Sequence, residues 1–305
     1  MLRDPFDIDF SEVLKLKKLK YGSSERSVYR KLTKSILNED KILFLRGKDY
    51  SAKSIKRVLV DVMTSNPLTF GVKKIDVTNN GKGTCVYFEY LPQMELLKEK
   101  IRERVKELYE SMSISRCRTE LKIELTVNDW MCQNCSYCMD MGYLTKHSVI
   151  GILLEGRGVC GSFALCTSLL LNCFGVKCFS ISGELKNPGT KDNFKGMRPK
   201  EYMDELSSAY GMDSRSNELL RTKLDMVGFN RELGFEQYDY EDFVSHAWNY
   251  VVIEGRERHL DVSFNNGHHI ESSRKSKHSF FNLTDDEISE DRIVLFGPGK
   301  NKKNR

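Results

Sequence analysis

The segment from Glu155 to Gly175 places the strongest constraint on the fold. It opens with Glu155-Gly156-Arg157-Gly158-Val159-Cys160-Gly161, where three glycines in six residues mark a tight turn. From Ser162 the apolar positions Phe163, Cys166, Leu169, Leu170, Cys173 and Phe174 describe one broad helical face, and Gly175 stops it. A helix with so wide an apolar face has to be covered by other elements. The same pattern sets Cys160 at the start of that buried helix.

The flanking sequence supplies candidates for the cover. Residues 26–38 read as a helix and 41–47 as a short strand. Ser51 caps a helix with Ile55, Val58, Leu59 and Met63 on one side, ended by Pro67. Strands at 74–78 and 84–91 are joined by Asn79-Asn80-Gly81-Lys82-Gly83, a hairpin signal. A charged amphipathic helix over 94–112 carries Leu96, Leu97, Ile101, Val105 and Leu108 as its buried stripe. These elements are expected to form a small α/β accessory domain over residues 1–115. The second domain, 116–305, opens with a helix over 120–138 and continues through the Cys160 helix to a strand at 176–182. A long polar insert at about 186–243 follows, then strands at 243–253 and 258–264, an acidic stretch at 283–291 and a basic tail.

Composition excludes several classes. The chain has 305 residues, 30% charged and 40% apolar, which is the balance of a soluble globular protein and not of a disordered or low-complexity one. Its formal charge of +5 is mostly a tail effect. Lys300, Lys302, Lys303 and Arg305 leave 44 basic residues against 43 acidic ones in residues 1–299. Apart from that tail and a Lys-rich stretch at 15–20 there is no basic cluster, so no nucleic-acid partner is expected. No apolar run approaches the ~20 residues of a membrane span, and the N-terminal residues lack the apolar core of a signal peptide. A cytoplasmic protein without a membrane partner is the default expectation, although a removed export signal would leave no trace. The nine cysteines are odd in number and follow no framework, and most should be reduced.

Three positions, in chain order, could carry chemistry: Cys160 at a helix N-terminus, His246 on a strand and Asp261 on the next. The helix end favours thiolate over thiol and offers free N–H groups to an oxyanion. An imidazole can take the thiol proton, and a carboxylate on the far ring nitrogen fixes its tautomer. If Glu254-Gly255 is a two-residue loop, His246 lies opposite Ser263 and diagonal to Asp261 on the same face. That diagonal, about 7–8 Å between backbones, is within side-chain reach. A four-residue loop would move Asp261 two residues further off.

The segments Gly158-Val159-Cys160-Gly161-Ser162-Phe163-Ala164, Ser245-His246-Ala247-Trp248-Asn249-Tyr250-Val251 and Arg258-His259-Leu260-Asp261-Val262-Ser263-Phe264 resemble the Cys, His and Asp motifs of the transglutaminase-like superfamily. The resemblance extends over most of residues 120–290 and includes His147-Ser148-Val149-Ile150-Gly151. It is nearest to bacterial proteins with an α/β N-terminal region. It implies an α+β, papain-like domain in which the nucleophile heads a helix packed on an antiparallel sheet. It also implies Cys160 as nucleophile, His246 as general base and acid, and Asp261 as orienting carboxylate. Gly161, Trp248, Asn249 and His147 are the candidates for substrate or oxyanion contact. Gly161 stands where relatives often place Gln or Glu, and the 186–243 insert has no recognised counterpart.

The implied function is acyl transfer on a peptide or protein amide, with hydrolysis favoured over amine cross-linking. The alternative is a catalytically silent fold that binds protein. Taken singly, Cys160 would read as a small buried hydrophobe and His246 and Asp261 as structural polar groups. Their joint occurrence favours chemistry. No cofactor or metal is expected: Cys132, Cys135 and Cys138 form a C-x-x-C-x-x-C run, but a ferredoxin-type fourth cysteine is missing, since Met141-Gly142 stands there.

Overall fold

The computed structural model describes residues 2–16, 21–46, 52–79, 81–138, 147–186, 243–266, 278–290 and 292–294. Residues 187–242 of the expected insert, the tail from 295, Ser51, His268-His269 and residues 17–20 lie outside the described residues.

The first elements are α1 (Ser23–Leu37), β1 (Ile42–Arg46), α2 (Ala52–Ser65), β2 (Val72–Asn79), β3 (Gly83–Tyr90) and α3 (Met94–Ser111). The three strands form an antiparallel sheet in the order β1-β3-β2. There follow α4 (Glu120–Asn134), β4 (Ser136–Tyr137), α5 (Val149–Glu155), β5 (Arg157–Gly158) and α6 (Cys160–Cys173). The chain continues through β6 (Lys177–Lys186), β7 (Phe243–Ile253), β8 (Arg256–Leu260), α7 (Val262–Asn265), α8 (Asp285–Ser289) and β9 (Arg292–Val294). The second antiparallel sheet has the order β8-β7-β6-β9. Mixed helices and antiparallel sheet make this an α+β fold. Among the described residues no helix is long and apolar enough to cross a membrane.

The second sheet is covered on both faces, as its alternating side chains require. Cys178 and Val251 face α6 and belong to a core with Phe163, Leu169 and Leu170. Ile181, Trp248 and Tyr250 point the other way, into a core with Tyr29 and Leu32 of α1 and Ile55 and Val62 of α2. Both cores draw residues from either side of position 115: Ile101 and Val105 of α3 join the α6 core. The N-terminal α/β segment is therefore packed into the same interior as the rest.

Two local readings change, and two stretches to which the sequence reading gave no element take one. The helix expected over 120–138 ends at Asn134, where Cys135 turns extended and Ser136 and Tyr137 pair in parallel with Arg157 and Gly158. This breaks the C-x-x-C-x-x-C run across a helix end. Residues 149–155 form a helix capped by the Ser148 hydroxyl and ended by Gly156 at φ +67°. The strand expected over 258–264 stops at Leu260, because the Asp261 carboxylate accepts the Phe264 N–H at 3.1 Å and starts a helical turn. The acidic stretch gives α8 and is followed by β9, which pairs with β6 beside Gly183. A Cβ at Gly183 would collide with the Ile293 carbonyl and the Trp248 ring, so only glycine admits this strand.

One buried acid stands outside this order. Glu124 of α4 is fully buried, neither carboxyl oxygen has a hydrogen-bond partner among the described residues, and burial pushes its pKa up to about 8. An unfolded glutamate titrates near ~4.3, so folding has to retain a proton on Glu124 above that pH. The resulting penalty is absent below about pH 4.3 and grows as pH rises towards 8. Glu124→Met is expected to stabilise the protein by on the order of 3 kcal/mol at pH 8 and far less at pH 5. Urea unfolding at the two pH values checks this, and a variant equally or less stable at both would contradict it.

Candidate active site

Cys160 is the first residue of α6 and is half-buried. Val159 precedes it and has no side-chain acceptor, so the first N–H groups of the helix are left uncapped beside the sulfur. Gly158 keeps the entry tight: a Cβ there would strike Ser162 Oγ, which itself bonds to the Val159 carbonyl at 2.8 Å. Helix-end charge and open N–H groups therefore converge on the thiol.

His246 reaches the thiol from β7. The hairpin has the register that a two-residue loop dictates, with Ile253 opposite Arg256 and Asn249 opposite Leu260. Glu254 and Gly255 both take positive φ, +50° and +76°, as a type I′ turn demands. Because β8 leaves the ladder after Leu260, no described strand pairs with the β7 edge at 246–248 on that side, and the Ala247 N–H is near enough to Cys160 to lower its pKa. His246 lies close enough to the thiol for each group to shift the other's titration. Its Nε2 lies 2.6 Å from Asp261 Oδ2, so Nδ1 is the nitrogen left for Cys160.

Asp261 is buried and accepts four donors. Oδ1 takes the Ser263 hydroxyl at 2.8 Å and the Phe264 N–H at 3.1 Å; Oδ2 takes His246 and Arg292 Nη2, the latter at 2.8 Å. Burial alone would favour the neutral acid, but His246 and Arg292 overcome it and hold the carboxyl well below the usual carboxylate range. Burial likewise works against the His246 cation, yet the charges of Asp261 and Cys160 and their hydrogen bonds raise its pKa to about 9. Burial pushes the Cys160 thiol up, whereas His246 and the Ala247 N–H bring it below its ordinary value. Both shifts run in the direction that favours thiolate and imidazolium over the neutral pair. In contrast, burial drives Cys135 up to about 12 and raises Cys166 and Cys178.

The structure thus brings Cys160, His246 and Asp261 into one chain of contacts. Trp248 stacks on His246 at 6.0 Å and 16°, and donates from Nε1 to His259 Nδ1 at 3.0 Å. His259 Nε2 accordingly carries its proton and donates to Asp285 Oδ1 at 2.9 Å. Asn249 faces the other way and ties α6 to the sheet through the Ala164 carbonyl at 2.8 Å. Gly161 faces open space: a Cβ there meets nothing within 4 Å. His147, half-buried just ahead of the Ser148 cap, is not among the groups that set the titration of Cys160 or His246. Among the described residues no group of three or more His, Cys, Asp or Glu side chains is placed to hold a metal ion.

Sequence reading missed Arg292 and gave Ser263 no role. Ser263 was within reach of inference, since a hydroxyl two residues after an Asp can bond back to it. Arg292 gave only the weak signal of one basic residue ahead of two β-branched ones.

A family described as the transglutaminase-like superfamily matches residues 111–261. Among solved structures, the chain is similar to one described as a TGase, at 12% identity and TM-score 0.35, covering 79% of this chain and 56% of that one. It is also similar to a candidate cysteine protease from Cytophaga hutchinsonii, at 13% identity and TM-score 0.29, covering 62% of this chain and 61% of the other. The chain thus spans less than two thirds of either neighbour's length. No curated protein matches it.

Proposed function

We propose that this chain, whose residues 111–261 belong to the transglutaminase-like superfamily, carries out thiol-dependent acyl transfer on a peptide or protein amide, with water as the favoured acceptor. The observation that carries the reading is the contact chain from Cys160 through His246 to Asp261. The Cys160 thiolate attacks the amide carbonyl carbon, and the carbonyl electron pair moves to oxygen, where the N–H groups at the start of α6 receive it. As the oxyanion collapses, the C–N bond breaks and His246 Nδ1 gives its proton to the departing amine. The neutral ring then takes a proton from the incoming water, which attacks the thioester and releases the acid and the thiolate. Asp261 stays ionised throughout, because its four donors leave no acceptor for a carboxyl proton. Hydrolysis is favoured over amine transfer because water needs no acceptor site of its own.

Incubation with p-nitrophenyl acetate tests the reading without a known substrate. The expected result is an acetyl adduct on the Cys160 peptide that forms with a nitrophenol burst, decays in water and is absent from Cys160→Ala. Adding a primary amine should speed the decay only modestly if water is the natural acceptor. A folded protein that forms no Cys160 adduct would instead be a binding module.

A further inference from the structure

Arg292 enters the site from β9, more than thirty residues after Asp261, and its side chain is completely buried. Its guanidinium lies 4.6 Å from the ring centres of Phe264 and Phe280 and 5.9 Å from that of Trp248. Ring faces stabilise the cation, but burying it still needs a counter-charge. That charge is Asp261, and the oxygen used is the one that His246 also approaches. The described charged groups bearing on the cluster are Cys160, His246, Asp261 and Arg292. With thiolate and imidazolium formed, their charges cancel.

We infer that Arg292 is a positioning residue of the proposed reaction: it fixes Asp261 Oδ2 against His246 Nε2 and offsets the repulsion of the carboxylate for the Cys160 thiolate. The inference rests on the acyl-transfer reading. Without the guanidinium the cluster carries an uncompensated negative charge. That charge disfavours the thiolate and over-stabilises the imidazolium, so both limbs of the reactivity profile move to higher pH. A residue that merely filled space would change stability and leave the limbs in place.

The test is the rate of iodoacetamide labelling of Cys160 against pH, read on its own peptide by mass spectrometry. Arg292→Met is expected to shift the acid limb upward by roughly one pH unit, a loss of about tenfold in labelling at the foot of the limb. Arg292→Lys, which keeps the charge without the fork, should recover at least half of the shift. Should the Met variant fail to fold, Arg292→Gln, which also removes the charge, is expected to show the same displacement. A Met or Gln limb at the wild-type position, or Lys and Met shifted alike, overturns the inference. A wild-type limb near the free-thiol value of ~8.5 overturns the acyl-transfer reading and this inference with it. A low wild-type limb unmoved by Met overturns this inference alone.

Discussion

His246→Ala is expected to lower the labelling of Cys160 by iodoacetamide at pH 6 by roughly 30-fold or more. In the wild-type site the thiolate is held by the His246 charge and hydrogen bond. A thiol of ordinary pKa, ~8.5, is only about 0.3% ionised at pH 6. The free thiolate is intrinsically more nucleophilic, which returns part of the loss, but burial of Cys160 works in the opposite direction once the imidazole is gone. The variant should still fold, because Asp261 retains Arg292, Ser263 and the Phe264 N–H. Peptide-resolved labelling of folded protein is the measurement. Equal rates for the variant and the wild type would remove His246 from any chemical role.

Asp261→Ala has the largest expected effect on stability, about 3–5 kcal/mol. Such a loss exceeds what an orienting carboxylate at a surface would cause. The reason is Arg292, which would be left as a buried cation with its carboxylate removed, and the turn at Val262, which would lose its cap. For a domain stable by ~5–15 kcal/mol this is a large share. Asp261→Asn should not rescue it: an amide nitrogen facing Arg292 meets a group that only donates, and one facing His246 is satisfied only in the tautomer that turns an N–H instead of a lone pair toward Cys160. The double variant Asp261→Leu with Arg292→Met should regain much of the loss, since neither charge is then stranded. Urea unfolding of the three variants decides the matter, and a single variant within about 0.5 kcal/mol of wild type would show the cluster to be energetically slack.

The catalytic candidates were legible because each is encoded locally. Glycines shape the entry to α6, and a Glu-Gly turn fixes the register that places His246 and Asp261 on one face. The end of β8 was less legible, since Val262, Ser263 and Phe264 suit a strand, and only the bond from the Phe264 N–H to the Asp261 side chain turns them into a helix. Arg292 was not legible: its strand has three residues, its partner Asp261 lies 31 positions away, and its burial depends on rings from three separate segments. Apolar periodicity likewise gave the buried stripes of α2 and α3 without naming what covers them, and it erred at Leu96, which is 50% exposed on the solvent side of the first turn of α3. The stripe residues Ile55 and Ile101 settle into cores that the C-terminal half completes.

Those shared cores also bear on where the chain can be cut. The family match begins at residue 111, yet one face of the second sheet is roofed by α1 and α2. Removing residues 1–110 would bare Ile181, Trp248 and Tyr250 to water, and Trp248 is the ring that lies along His246. The stretch that a sequence comparison recognises is thus smaller than the piece that can be transplanted. Cys160 and the roof of the sheet beside it have to be inherited together.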